Sequence, residues 1–326
     1  MDVCLGAQSV GVCYGRIGDN LPSEAEVVDL YRASGIEKMR IYDPHEATLR
    51  APGIVAGIEL MVGVPNEDLQ ALATDASAAT NWVQRNILSY APAVNIRYIS
   101  VGNEVKPTDP AAQFVLPAMI NIYNALESAN NAIQTLQIKV STSVDGTLLG
   151  TSYPPSAGSF SDSASSYIIP IIQFLASKGA PLLANIYPYF SYIGDPINID
   201  LRYALFTSPG VVVQDGVFGY QNLFDAILDA FYSAMEKVGA PNVEVIVSET
   251  GWPSAGGTAA TTENAIAYYQ NLINHVKNNG TPKRPGKLIQ AYLFAMFDEN
   301  QKGPAETERH FGLFYPTKQP KYSISL

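Results

Sequence analysis

The chain has 326 residues, 47% hydrophobic and 15% charged, with 30 acidic against 20 basic side chains for a formal charge of −10. That apolar content is enough for a large core and excludes disorder, while the negative charge disfavours nucleic acid and anionic membrane surfaces as partners. No apolar run approaches the roughly 20 residues of a spanning helix, and two cysteines, Cys4 and Cys13, supply neither a disulfide framework nor a zinc ligand set.

The first stretch, "MDVCLGA", lacks a basic region and a full hydrophobic core. It reads as a remnant, residues 1–7, of a trimmed leader or of cloning, cut after Ala7, with the folded domain running 8–326. Eight apolar, β-branched segments then follow: "SVGVCYG" (9–15), "KMRIYDP" (38–44), "IELMVGVP" (58–65), "IRYISVGNE" (96–104), "IKVSTSVD" (138–145), "PLLANIYPYF" (181–190), "VEVIVSETGWP" (243–253) and "LIQAYLFAMFDE" (288–299). Strands apolar on both faces suit a buried parallel sheet.

Most of the segments are separated by amphipathic helices with legible ends. In "PSEAEVVDLYRASG", Ser23 and Glu26 stand at capping-box spacing and Gly35 closes the helix. Further helices are predicted in "DPAAQFVLPAMINIYNALESAN", "SYIIPIIQFLASKG", "YQNLFDAILDAFYSAMEKVG" and "TENAIAYYQNLINHVKNNG", where apolar residues recur every three or four positions. Eight strands alternating with helices predict a single (β/α)8 barrel. An open doubly wound sheet gives the same alternation, but no Gly-x-Gly-x-x-Gly follows the first strand and no Walker loop occurs. After Glu299 no long eighth helix is visible.

In such a barrel the working face lies at the C-terminal strand ends. Those ends carry Tyr14, Asp43, Asn66, Asn103 with Glu104, Asp145, Tyr187, Glu249 and Glu299. His45, His275 and His310 are far apart and show no metal-ligand spacing, and no Gly-x-Ser-x-Gly elbow appears. Each histidine reads as a surface or structural residue. Paired carboxylate chemistry remains: glycosidic cleavage needs one carboxyl that holds a proton and one that is ionised. A lone glutamate at a strand end is usually a solvated terminus, but three close these strands. Glu104 with Glu249 and Glu249 with Glu299 are both geometrically legitimate pairs, since neighbouring strands lie roughly 5 Å apart. In a regular strand Asn103 and Glu104 would point to opposite sides, so if both line a pocket a bulge or kink is expected near Gly102.

The motifs "GVCYG", "MRIYDP", "YISVGNE", "VSTSVD", "NIYPYFSY", "VSETGWPSAGG", "AMFDENQK" and "FGLFYP" together carry a resemblance from Gln8 to Leu326. The chain resembles the plant glycoside hydrolase family 17 β-1,3-glucanases. That resemblance implies a (β/α)8 barrel, a retaining mechanism and internal cleavage of linear β-1,3-glucan, with Glu104 as general acid/base and Glu249 as nucleophile. Asn103 is implied beside the scissile bond. Glu299, Lys302 and Glu308 are implied as a supporting network, and Tyr42, Tyr187, Phe190 and Trp252 as groove-lining positions. No metal or cofactor is implied, and the partner is a β-1,3-glucan polysaccharide bound by a secreted, extracellular monomer.

Within that reading the Glu249 carboxylate needs donors or a cation nearby, for which Lys302 is the expected candidate. Glu104 is expected to titrate higher. The readings that compete are a β-1,3-1,4-glucanase with the same motifs and a catalytically silent glucan-binding protein. A sequon, Asn279-Gly280-Thr281, is followed directly by Pro282.

Overall fold

The computed structural model describes residues 10–55, 57–133 and 137–325. Residues 1–7, and with them Cys4 and the expected leader remnant, lie outside the described residues. Eight strands form a closed, all-parallel barrel: β1 (Val10–Tyr14), β2 (Lys38–Ile41), β3 (Glu59–Val64), β4 (Asn95–Asn103), β5 (Lys139–Asp145), β6 (Leu182–Asn185), β7 (Val245–Thr250) and β8 (Ala291–Leu293). Closure is made by β1 against β8, with Val10 beside Ala291 and Val12 beside Leu293. The predicted (β/α)8 barrel is the observed fold.

Alternation along the strands sorts side chains into two apolar layers. On β1, Val10, Val12 and Tyr14 join the large layer shared with the helices, while Cys13 joins Met61, Tyr98, Leu183, Ile246 and Tyr292 in a second cluster inside the barrel. Helices α1 (Glu24–Ala33), α2 (Leu69–Thr74), α3 (Ala76–Val83), α4 (Ala112–Ile133), α5 (Asp162–Lys178), α6 (Leu223–Lys237) and α7 (Thr262–Asn278) lie outside the barrel. The α1 signals are realised: the Glu26 carboxylate accepts from the Ser23 backbone N–H at 3.1 Å, and Gly35 takes the left-handed conformation, φ +69°.

Two segments end earlier as strands than their apolar runs suggest. The run 181–190 leaves the sheet after Asn185, because Pro188 starts a short helix, Pro188–Gly194, whose first turn needs no N–H from it. The run 288–299 pairs regularly only over Ala291–Leu293 before turning across the barrel mouth. Beyond Glu299 the one helical element among the described residues is a 3-10 turn, Glu306–Arg309, in keeping with the missing eighth helix.

Candidate active site

Both candidate glutamates are delivered by irregular strand ends. Ser100 pairs with Ser141 but Asn103 with Ser143, so β4 carries one residue more than its neighbour. Gly102 absorbs the bend at φ +75°, and Glu104 follows at φ +52°, a backbone rarely taken by a residue with a side chain. The expected irregularity at Gly102 is present, and Asn103 and Glu104 both line the cleft at the barrel mouth. On β7 the same device recurs: Val247 pairs with Ala184 and Glu249 with Asn185, again one residue extra. Ser248 and Glu249 therefore both meet Asn185, one by its side chain and one by register.

Glu249 is 7% exposed. Its Oε1 accepts from Arg40 Nη1 at 2.9 Å and from the Tyr42 hydroxyl at 2.7 Å, while Oε2 accepts from the Tyr187 hydroxyl at 2.7 Å. Three donors on one carboxylate, one of them cationic, fix its orientation at the barrel mouth. Burial, with the Glu249 charge adding to it, holds both phenols above the ordinary tyrosine range, so they remain donors.

Glu104 is placed differently. Its Oε1 accepts from Asn185 Nδ2 at 2.8 Å, a neutral donor. Burial raises its carboxyl above the usual range, and the negative charge of Glu249 raises it further, against a smaller opposing effect of the Asn185 bond. Asn185 also accepts from Arg40 Nη1 at 3.1 Å through its Oδ1, so one amide joins the two carboxyls through the guanidinium.

Arg40 is the centre of this arrangement, and the sequence reading did not find it. It is 1% exposed and also donates through Nη2 to Asn103 Oδ1 at 2.7 Å and to Ser143 Oγ at 3.1 Å. Burial opposes its charge, but the oxygens of Tyr42 and Glu249 outweigh that and raise its pKa. The signal was present: a charged residue stands between Met39 and Ile41 on a strand buried on both faces, where an arginine needs a partner.

The remaining expected residues divide. Lys302, expected beside Glu249, instead pairs with Glu308 at 3.2 Å and lies 3.8 Å from the Phe294 ring centroid; the cation on Glu249 is Arg40. Glu299 lines the cleft, and its Oε1 accepts from the Ile17 N–H at 2.8 Å. It lies over Gly15, where a Cβ would fall 2.5 Å from either carboxylate oxygen. Burial raises the Glu299 carboxyl, with Lys302 opposing. Phe190, 42% exposed, lines the cleft beside Tyr187. Trp252 does not line it: the ring is fully buried, its Nε1 donates to the Ala259 carbonyl at 2.9 Å, and it packs against Tyr189 and Tyr268. The Trp252 ring therefore supports the wall from beneath. Phe311 in the cleft wall was unforeseen, while Asp43, one of the strand-end candidates, pairs with Arg16 at 2.6 Å on the rim. Among the described residues no group of three His, Cys, Asp or Glu side chains is placed to hold a metal ion.

A model of Glycosyl hydrolases family 17 matches residues 10–326. A glucan endo-1,3-beta-glucosidase of Vitis vinifera is 61% identical over 99% of this chain and 93% of its own length. The acidic isoform GL161 of the same enzyme from Nicotiana tabacum is 53% identical over 98% of this chain and 95% of its own. Among solved structures, one of two plant beta-glucan endohydrolases with distinct substrate specificities superposes with a TM-score of 0.91 at 48% identity, covering 97% of this chain and all of that one. A beta-1,3-glucanase and pollen allergen of Cryptomeria japonica superposes with a TM-score of 0.92 at 50% identity, covering 97% and 98%.

Proposed function

The chain belongs to glycosyl hydrolases family 17, and from that premise we propose that it is a glucan endo-1,3-β-glucosidase that cuts internal bonds of linear β-1,3-glucans with retention of configuration. The observation that carries the assignment of roles is the unequal treatment of the two carboxyls. Glu249 has three donors including a guanidinium, whereas Glu104 has burial and one amide. A carboxyl raised by burial, beside one held by a guanidinium and two phenols, suits an acid and nucleophile pair.

In the first step a Glu249 oxygen attacks the anomeric carbon as the proton on Glu104 passes to the departing glucosyl oxygen. The C–O bond breaks, leaving a glycosyl ester on Glu249. In the second step Glu104, now ionised, takes a proton from water, and the hydroxide attacks the same carbon and releases Glu249. Two inversions give net retention, a route that suits carboxyls about 5 to 5.5 Å apart. Tyr42, Tyr187 and Arg40 orient the nucleophile, and Asn185 orients the acid. Glu299, Lys302, Glu308 and Phe190 line the bound chain, and Asn103 stands at the subsite next to the cut.

Release of reducing ends from laminarin, compared with cereal mixed-linkage glucan, tests the linkage: cleavage confined to laminarin supports the reading, and preference for mixed-linkage glucan overturns it. No release from either leaves a silent binding protein. Glu104→Gln should abolish action on polymer but spare aryl glycosides whose leaving groups need no proton, while Glu249→Gln should remove both activities. The same reading makes the protein a secreted monomer, tested by size-exclusion chromatography and by its recovery in extracellular fluid.

A further inference from the structure

We propose that a second groove, on the flank of the barrel, binds a neutral carbohydrate: an arm of the glucan chain that the cleft cuts. The choice of ligand rests on the activity proposed above. The groove has a volume of about 870 Å³ and shares no lining residue with the cleft. One wall is the face of α7 that presents Asn271, Asn274, His275 and Asn278, spaced i, i+3, i+4 and i+7; the aromatic rings of Phe206 and Phe218 also line it.

Its chemistry selects an uncharged polyol. The only ionisable side chains lining it are Asp225 and His275, and these face each other at 2.8 Å. Each is occupied by its partner, and Asp225 also accepts from Asn222 Nδ2 at 2.8 Å. The amides of Asn274 and Asn279 are exposed and make no side-chain hydrogen bond among the described residues, so each has donors and an acceptor for a ligand. Rings beside free amides match the alternating apolar faces and hydroxyl edges of a sugar.

The backbone sets the position of the Phe206 ring. Phe206 has φ +60°, an outlier for so bulky a residue. The Leu205 carbonyl just before it accepts from Asn271 Nδ2 at 3.1 Å, and the Phe206 ring lies 5.4 Å from that of His275. That φ ends the short helix Leu201–Ala204, where the Thr207 N–H donates to the Arg202 carbonyl at 2.8 Å, and it turns the Phe206 ring into the groove wall.

The test uses the full chain carrying Glu249→Gln, which binds without turnover, titrated with laminarihexaose and followed by amide chemical shifts. The expected result is two sets of shifts, one around the cleft and one over residues 271–286, each with its own Kd. Phe218→Ala, and separately Asn274→Ala, should weaken the second Kd by roughly 2- to 12-fold, the loss of one ring or amide contact, and leave the cleft Kd unchanged. Shifts confined to the cleft overturn the second site while leaving the activity standing. Shifts nowhere overturn the activity and this ligand together. An equal response of the groove to maltohexaose overturns the assignment to a β-1,3-glucan arm.

Discussion

Arg40 is the residue on which the two carboxyls depend. Its guanidinium reaches Glu249, Asn185, Asn103 and Ser143 from one buried position, and a lysine has neither the reach nor the planar fork to keep those contacts. Removing one partner of a buried charge pair leaves the other uncompensated. Arg40→Lys should therefore lower kcat/KM on laminarin by about 100-fold or more, close to 2.7 kcal/mol of transition-state stabilisation. Lys302→Met, whose ammonium touches Glu308 and not Glu249, should cost less than about tenfold. A larger loss in Lys302→Met than in Arg40→Lys would return the cation's role to Lys302. The pH profile follows from the same residues. Because Glu104 must hold a proton and its carboxyl is raised, activity should persist above the ordinary glutamate range near pH 4.3 and then fall as pH rises through the Glu104 pKa. Asn185→Ala removes the bond that favours ionised Glu104, so it should move that alkaline limb upward.

The strand ends are where sequence reading was most informative and where it also failed. Gly102 marks the extra residue on β4, because a glycine inside an apolar strand signals a bend, so Glu104 was legible as a delivered side chain. The matching extra residue on β7 has no glycine within it; Ser248 and Glu249 look like ordinary alternation, and the displacement appears only in register against the neighbouring strands β6 and β8. Arg40 was passed over within "KMRIYDP", and Trp252 was implied as a groove-lining position, because burial depends on neighbours distant in sequence. Gly102→Ala should be strained by its φ of +75° and by contacts of 3.2 to 3.3 Å to Asn66 and Leu69. It should cost about 1–3 kcal/mol of stability and lower kcat more than it raises KM, because it moves Glu104 and not the groove walls. A variant with full kcat would show that the bend is not what aims the acid. On α6, Asp229 is fully buried and its Oδ1 has no partner, while Oδ2 accepts from Tyr220 and the Lys283 N–H. Burial pushes its carboxyl up to about 6, above an unfolded value near 3.9. The folded state thus binds this proton more tightly, and its contribution to stability is largest below pH 4 and declines as pH rises toward 6 and beyond. Asp229→Asn should raise Tm at pH 7, and the gain should shrink by pH 4.5; a gain independent of pH would sink this account.

Across the whole molecule, the formal charge is −10. Among the side chains lining the cleft, carboxyls outnumber cations six to two. A neutral glucan meets no penalty there, whereas carboxymethylated β-1,3-glucan is repelled, so its kcat/KM should lie below that of laminarin in dilute buffer and recover with added salt as the field is screened. Equal rates at low salt would count against a field-controlled cleft. The barrel itself was readable because eight apolar segments repeat with helical spacers, a pattern set by local periodicity. The cleft's charge geometry was not, since it arises where β2, β4, β6 and β7 converge. That convergence is tested most directly by trapping the covalent intermediate with a 2-deoxy-2-fluoro-β-laminaribiosyl fluoride and mapping the labelled peptide by mass spectrometry. The account predicts a single fluoroglycosyl ester on Glu249; an ester on Glu299, Glu104 or any other residue would contradict it.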